Sequence, residues 1–435
     1  MAASFHFERS IPFSPENSAE ILRAIPALPG VFALHGPYSE DQPYLTRAAD
    51  LRRRITRILA PPDSQSKRLN LRTRVARIDY TVTGSEFESA LTLYHASAAI
   101  FGLAEARRRL RLHTPFFLRF TAGNAFPRVY STNRLSRRAL AHTYGPFPSR
   151  AAADRYCDAV LDLFKLRRCT EDLAPYPEHP GCVYQEMNKC LAPCNQACTP
   201  EGAAAYAAEA AAVEAFFATH GESLLTQLTA DREQASAGLD FERAAQLHAQ
   251  FLRVKSAASL ADPLVQPIPR LRAVILQKAV AEPRNPDPVI LSEARSAESK
   301  DLRFAEPDTE PEPSAAVFLL ASGSFVGPAR LAPAAPTKPV PASDSNPEAT
   351  PSLNPDDRAA NLIVSLERQT STAPDLATLS DHLSLLRRWY YRPEKQRIGE
   401  VFFPREDAIW PIRRILNAAA RISLGDPTLT SEAKS

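Results

Sequence analysis

The chain has 435 residues, 44% of them hydrophobic and 23% charged, the mix of a globular protein long enough for two or three domains. No apolar run reaches the roughly 20 residues that span a bilayer, and the start, MAASFHFERSIPF, lacks the basic head and apolar core of an export signal, so a cytoplasmic protein without membrane association is expected. The net charge of +3 divides unevenly: residues 1–168 carry 26 Lys/Arg against 14 Asp/Glu, net +12, and the rest 26 against 35, net −9. A basic front half suits a polyanion, whose condensed counterions Arg and Lys displace; a solvated basic face has the same composition.

In chain order, PGVFALHG (29–36) reads as a strand and DQPYLTR (41–47) as a second that runs into the helix AADLRRRITRILA (48–60), with Leu51, Ile55, Ile58 and Leu59 at helical spacing. IDYTVTG (78–84) alternates as a strand, and SEFESALTLYHASAAIF (85–101) is a helix opened by Ser85 with Glu88 three residues on, the capping-box pattern. These make a small α/β domain over 20–100. The connecting region, 101–168, offers paired strands in HTPFFLRFTAG and FPRVYST and then the amphipathic helix AAADRYCDAVLDLFKL. A cysteine-rich segment covers 169–200. Residues 201–258 are Ala-, Glu- and Gln-rich with few breakers and read as a pair of long helices in a hairpin. LRAVILQKAV, PVILSEA and AAVFLLASGSFVG are strand candidates in a small β-rich region, 263–330. The Pro/Ala/Ser stretch 331–357 is expected to be a disordered linker, and 358–435 a helical C-terminal region built on ATLSDHLSLLRRWYY and AIWPIRRILNAAARI.

All six cysteines fall between 157 and 198. A secreted disulfide scaffold spreads its cysteines and carries an export signal, so metal is the better reading of this cluster. Cys169, Cys182, Cys190 and Cys194 give C-x12-C-x7-C-x3-C, four thiolates suited to a tetrahedral zinc or to a four-iron cluster; spacing does not decide between them, and unliganded thiols are the alternative. Cys157 sits within an amphipathic helix and reads as core; Cys198 lies outside the pattern.

PGVF (29–32) followed by YLTRAADLRRR (44–54) resembles the GIY-YIG nuclease domain that opens UvrC, the incision subunit of bacterial nucleotide excision repair, where PGVY and YVGKAKDLKKR are usual. IDYTVTGSEFESAL, YGPFP (144–148), the cysteine set and LDFERAAQLHAQFLRVK (239–255) keep the family order. The last of these resembles the UVR motif, a helical hairpin through which UvrC pairs with UvrB. The resemblance covers roughly residues 20–260; no counterpart of the RNase H-like nuclease or the helix-hairpin-helix pair follows. It implies an α/β (α+β) fold: a small GIY-YIG domain with a mixed sheet and flanking helices, then the cysteine segment, the UVR hairpin and a divergent α/β tail. For the cysteines it implies a [4Fe-4S] cluster stapling a loop-rich segment.

The resemblance assigns the chemistry to Tyr44, to Arg54 and to Arg47, which stands where the family has lysine. The first-motif tyrosine is Phe32, and Leu45-Thr46 replaces the glycine that follows the second tyrosine. The family's metal-binding glutamate aligns with Leu93. Glu88, five residues earlier, points about 140° around the helix, and a leucine offers no oxygen to Mg²⁺ or Mn²⁺. The metal-assisted step is therefore expected to be lost or impaired, with an active site requiring an unidentified ligand. Arg52, Arg53 and Arg57, with Arg107, Arg108, Arg109 and Arg111, are candidate phosphate contacts. Leu239, Phe241, Ala244, Ala245, Leu247 and Phe251 form an apolar stripe that is either hairpin core or a docking face for a UvrB-like partner, although His248-Ala249 replaces the family's Arg-Asp. Two functions remain open: an incision subunit of excision repair, or a non-catalytic adaptor that binds DNA and its partner.

Overall fold

In the computed structural model the residues described are 5–38, 40–61, 69–280, 314–332, 354–370, 375–405 and 408–424. The N-terminal unit comprises β1 (Arg9–Pro12), α1 (Ser18–Ala24), β2 (Gly30–His35), β3 (Tyr44–Ala48), α2 (Leu51–Leu59), β4 (Arg77–Val82) and α3 (Glu86–Phe101). Its strand order is β1-β4-β2-β3. The fold is α+β, but every pairing in this sheet is antiparallel, so the sheet is not the expected mixed one, and β1 extends the unit ahead of residue 20. Alternation along β2 sends Phe32 and Leu34 into a core with Leu51, Ile55, Ile78 and Tyr80, under α1 and α2. The other sheet face receives α3, which lies against β2 and β3. Ser85 caps α3 by accepting from the Glu88 amide (3.0 Å), and the Glu88 carboxylate accepts from the Gly84 amide (2.8 Å), so the expected capping pair forms.

After α4 (Leu103–Leu110), β5 (Phe116–Phe120), β6 (Val129–Thr132) and β7 (Thr143–Phe147) lead to α5 (Arg150–Leu161). The cysteine segment holds two single turns, α6 (Val183–Glu186) and α7 (Pro193–Gln196). Residues 200–258 form three helices rather than the expected two: α8 (Pro200–Ala218), α9 (Glu222–Ala237) and α10 (Phe241–Ala258). The break falls at His220 and Gly221, both in the left-handed region (φ +51° and +85°). A β carbon on Gly221 would lie 2.9 Å from the Phe216 ring, so glycine is required both for conformation and for room. The second sheet is completed by β8 (Gln266–Pro267), in the order β6-β5-β7-β8.

The tail contributes β9 (Arg272–Lys278), β10 (Ala315–Ala321), β11 (Ser324–Leu331), α11 (Pro355–Gln369), α12 (Leu376–Tyr390), β12 (Glu400–Phe402) and α13 (Ile412–Leu424). The β-rich region and the helical C-terminal region are thus one body, because β12 pairs with β9 to give the sheet β11-β10-β9-β12. PVILSEA and most of the expected linker lie outside the described residues, and α11 begins at Pro355, inside the span assigned to that linker. This sheet is buried on both faces. Val274, Leu276, Val317 and Leu319 pack with Ile363 of α11 and Ile415 of α13. Ile275, Phe318 and Leu320 face the other way, toward Leu383 and Trp389 of α12 and toward Phe87, Leu91 and Tyr94 of α3. One helix therefore covers two sheets.

That joint contains a polar seam. Tyr94 donates to Asp381 (3.0 Å), which also accepts from Arg107 (2.7 Å). The buried His382 accepts at Nδ1 from the Phe325 amide (3.1 Å) with the Ser324 hydroxyl at 2.9 Å, while its ring packs edge-on against Tyr94 and His95. These bonds require a neutral imidazole. Burial pushes the His382 pKa down to about 3 from an ordinary 6.5. A histidine depressed in the fold contributes stability that is complete above the unfolded value and is lost as pH falls from about 6.5 toward 3. His382→Gln should be less stable than the parent at pH 7 yet lose less on acidification to pH 4.5, read from urea midpoints; an unchanged acid slope would refute the assignment.

Candidate functional site

Tyr44 opens β3, and Arg54 lies on α2 one turn after the Asp50 cap, whose carboxylate accepts from the Arg53 amide (2.8 Å). This brings two of the expected catalytic residues together: Arg54 Nη2 donates to Tyr44 Oη at 3.2 Å. Phe32 is fully buried, 6.2 Å from the Tyr44 ring, so its ring serves the core. Tyr44 also borders a cavity of about 470 Å³ with Leu34, Gly36, Asp41, Gln42 and Arg74 in its wall; Asp41 is the carboxylate there.

Arg47 goes elsewhere. It is three residues beyond Tyr44 in an unbroken strand, so alternation directs it to the opposite sheet face, where α3 packs. There its Nη2 pairs with Glu86 at 3.0 Å, and Glu86 in turn takes both terminal nitrogens of Arg392, at 2.6 and 3.0 Å. The two arginines hold the Glu86 pKa below the ordinary carboxylate value, the Arg392 hydrogen bonds being the largest cause. Sequence reasoning missed Glu86 and Arg392. Glu86 had a signal: seven residues before Leu93, it lies about 20° from it around the helix and about 10.5 Å along the axis. Arg392 had none.

Leu93 is half-buried and supplies no oxygen. Glu88, the nearer acid in sequence, is committed to the Gly84 amide, and burial raises its pKa. Arg53 and Arg57 are exposed, whereas Arg52 spends its Nε on the Ile25 carbonyl (2.6 Å). In the second basic cluster, Arg107 is locked onto Asp381 and the Ala377 carbonyl, and Arg108 and Arg109 pair with Glu105, so that cluster offers phosphate less than its charge implies.

Cys169, Cys182, Cys190 and Cys194 converge on one segment. Cys190 lies within electrostatic reach of the other three, and burial pushes its thiol up to about 11. Sulfurs of the set receive N–H donors: the Ala192 amide reaches Cys190 Sγ at 3.3 Å and the Arg167 guanidinium reaches Cys169 Sγ at 3.7 Å. The segment is anchored from α8, where Tyr206 accepts from the Arg167 amide (3.2 Å) and donates to the Pro127 carbonyl (2.6 Å). Four thiols with N–H donors fit a thiolate-bound centre, since such donors stabilise coordinated sulfur. Among the described residues no group of three or more His, Cys, Asp or Glu side chains is arranged to hold a metal ion. Cys157 is buried in the core, its thiol pushed up to about 12 by burial, and Cys198 is exposed.

The apolar stripe of the hairpin divides in two. Leu247, 5% exposed, is core, Ala244 and Phe251 are half-buried, and Phe251 stacks on His248 at 6.4 Å with the Arg232 guanidinium 5.9 Å from its ring centroid. Ala245 is exposed, and at the tip Leu239 and Phe241 are 74% and 66% exposed.

Residues 116–216, which include every cysteine, match the UvrC/Cho excinuclease middle domain. The chain is 28% identical over 243 residues to the UvrABC system protein C of Idiomarina loihiensis, an alignment covering 55% of this chain and 38% of that protein. It is 29% identical over 238 residues to the protein of the same name from Klebsiella pneumoniae, covering 54% and 37%. For Aliivibrio salmonicida the figures are 28% over 237 residues, 54% and 38%. No solved structure gives a significant match. The fold and these matches define an α+β protein with an excinuclease-type middle domain. Over about half its length the chain is similar to UvrC proteins, and the matched part spans about two fifths of those relatives. Among the described residues, no helix is long and apolar enough to cross a membrane.

Proposed function

We propose that this chain serves nucleotide excision repair as a DNA-binding, partner-recruiting protein of the UvrC type whose nuclease-like site does not cut. The observation that carries the reading is the half-buried Leu93, an aliphatic side chain where the resemblance requires the metal carboxylate. The similarity to UvrABC system protein C supports the repair role, and the arginines exposed on α2 support DNA contact through the phosphate backbone. A phosphodiester is bound there without sequence preference, as damage handling requires. Incision is the second reading. It is favoured by the intact Tyr44–Arg54 hydrogen bond and by Asp41 in the adjoining cavity wall, an oxygen donor within the neighbourhood of the tyrosine. The test is incubation of a lesion-bearing duplex with the protein, UvrB and Mg²⁺ or Mn²⁺. Binding without nicking is expected; metal-dependent nicking abolished by Tyr44→Phe replaces the adaptor with the enzyme.

Cys169, Cys182, Cys190 and Cys194 would hold a [4Fe-4S] cluster, whose contribution is to staple a segment poor in core of its own. Protein purified without oxygen should be brown and contain iron. Colourless protein with one zinc per chain would reverse that assignment.

The exposed tip residues Leu239 and Phe241 are the docking face toward a UvrB-like partner, and Leu247 holds the hairpin together beneath them. Phe241→Asp should leave the thermal midpoint within about 1 °C, because the ring is solvated and surface changes cost little, and should weaken partner binding at least tenfold in a pull-down titration. Unchanged partner binding removes the tip from the interface.

A further inference from the structure

We propose that Arg47 and Arg392 form a single phosphate-binding site, assembled from the nuclease-like sheet and the tail and occupied in the free protein by the carboxylate of Glu86. The inference rests on the reading of this chain as a DNA-binding protein and names a part of that surface contributed by the tail.

The geometry is that of a clamp. Glu86 Oε2 accepts from Arg392 Nη1 at 2.6 Å, and Glu86 Oε1 accepts from Arg392 Nη2 and from Arg47 Nη2, each at 3.0 Å. Arg47 Nη1 adds a longer bond to the Glu86 carbonyl, 3.4 Å. Both guanidinium groups present the fork that matches carboxylate and phosphodiester oxygens equally well. One negative charge sits between two positive ones, so the cluster retains a net positive charge. None of the three is buried: the side chains of Arg47, Glu86 and Arg392 are 39%, 51% and 33% exposed.

Exposure decides the consequence. Ion pairs open to water are weak, so a backbone phosphate, which also releases counterions on binding, can displace the Glu86 carboxylate from its two partners. Glu86 is the first residue of α3 and projects on the same side of that helix as Leu93, the position where the metal carboxylate is missing. The face that has lost a metal ligand thus carries an arginine pair. Arg392 follows directly on α12, whose Trp389 is packed against Phe87 of α3, so its guanidinium is held in register with Arg47 by the joint itself. A carboxylate in this position acts as an internal competitor for DNA.

That competition gives the two partners opposite signs. Binding of a short mixed-sequence duplex is measured by fluorescence anisotropy across a salt series, with thermal melting to confirm folding. Glu86→Gln frees both arginines and should tighten binding several-fold. Arg392→Ala should weaken it several-fold and reduce the slope of log K against log salt by about 1. Arg392→Lys, which keeps the charge and loses the fork, should fall between the parent and the alanine variant, and covers the case in which the alanine protein does not fold. If the parent binds and Glu86→Gln is equal to it or weaker, the triad is an ion pair between two parts of the fold and the proposal fails alone. If the parent binds no duplex, the DNA-binding reading fails and takes this one with it.

Discussion

Burial of one face of α3 between two sheets is the interaction on which the rest of the architecture depends. Phe87 makes ring contacts with Phe318, Phe325 and Trp389 at centroid distances of 5.1–5.2 Å, reaching two strands and one helix of the tail. Leu91 and Tyr94 continue the same stripe at helical spacing. Aromatic packing of this kind, edge-on for Phe318 and Phe325 and tilted for Trp389, adds about 0.5–1.5 kcal/mol per pair beyond the area it removes from water. The polar seam of Tyr94, Asp381, Arg107 and His382 then sets the register of α12 on α3, because each buried polar group there has few alternative partners.

The same helix limits what the proposed nuclease-like site can hold. Its interior-facing positions are committed to hydrophobic packing on one side and to β2 and β3 on the other. Glu88 is spent on the cap, and Leu93 itself supplies no oxygen on the third side. What α3 presents at its N-terminal end is Glu86, in contact with arginines from both halves of the chain. A helix serving as a joint between two bodies tolerates a leucine at the position that the resemblance gives to a metal ligand, since packing rather than coordination then governs the residues that suit it.

Much of this was legible in the sequence where the signals are local. The Ser85–Glu88 cap and the α2 stripe of Leu51, Ile55, Ile58 and Leu59 follow from short-range periodicity and cap chemistry, whereas AAVFLLASGSFVG, read as one strand candidate, holds the turn between β10 and β11. Two signals were present and outweighed by composition: His220-Gly221 as the end of α8, and Pro355 with Asp356 and Asp357 as the start of α11, a proline-first helix with acids in its first turn. The alternation that separates Arg47 from Tyr44 was also readable, as an odd spacing within one strand. The rest required long-range pairing. Nothing near EVF (400–402) announces that it adds to β9, more than 120 residues earlier, and no periodicity in α3 tells which of its apolar residues meet the tail.

The central claim, that α3 ties the N-terminal unit and the tail into one cooperative body, is tested most directly by amide hydrogen exchange on the full chain carrying Phe87→Ala. Loss of the ring removes contacts to β10, β11 and α12 at once, so protection should fall together in α3 and in residues 315–331 and 376–390. Faster exchange confined to α3, with the tail strands as protected as in the parent, would show two independent bodies and contradict the account.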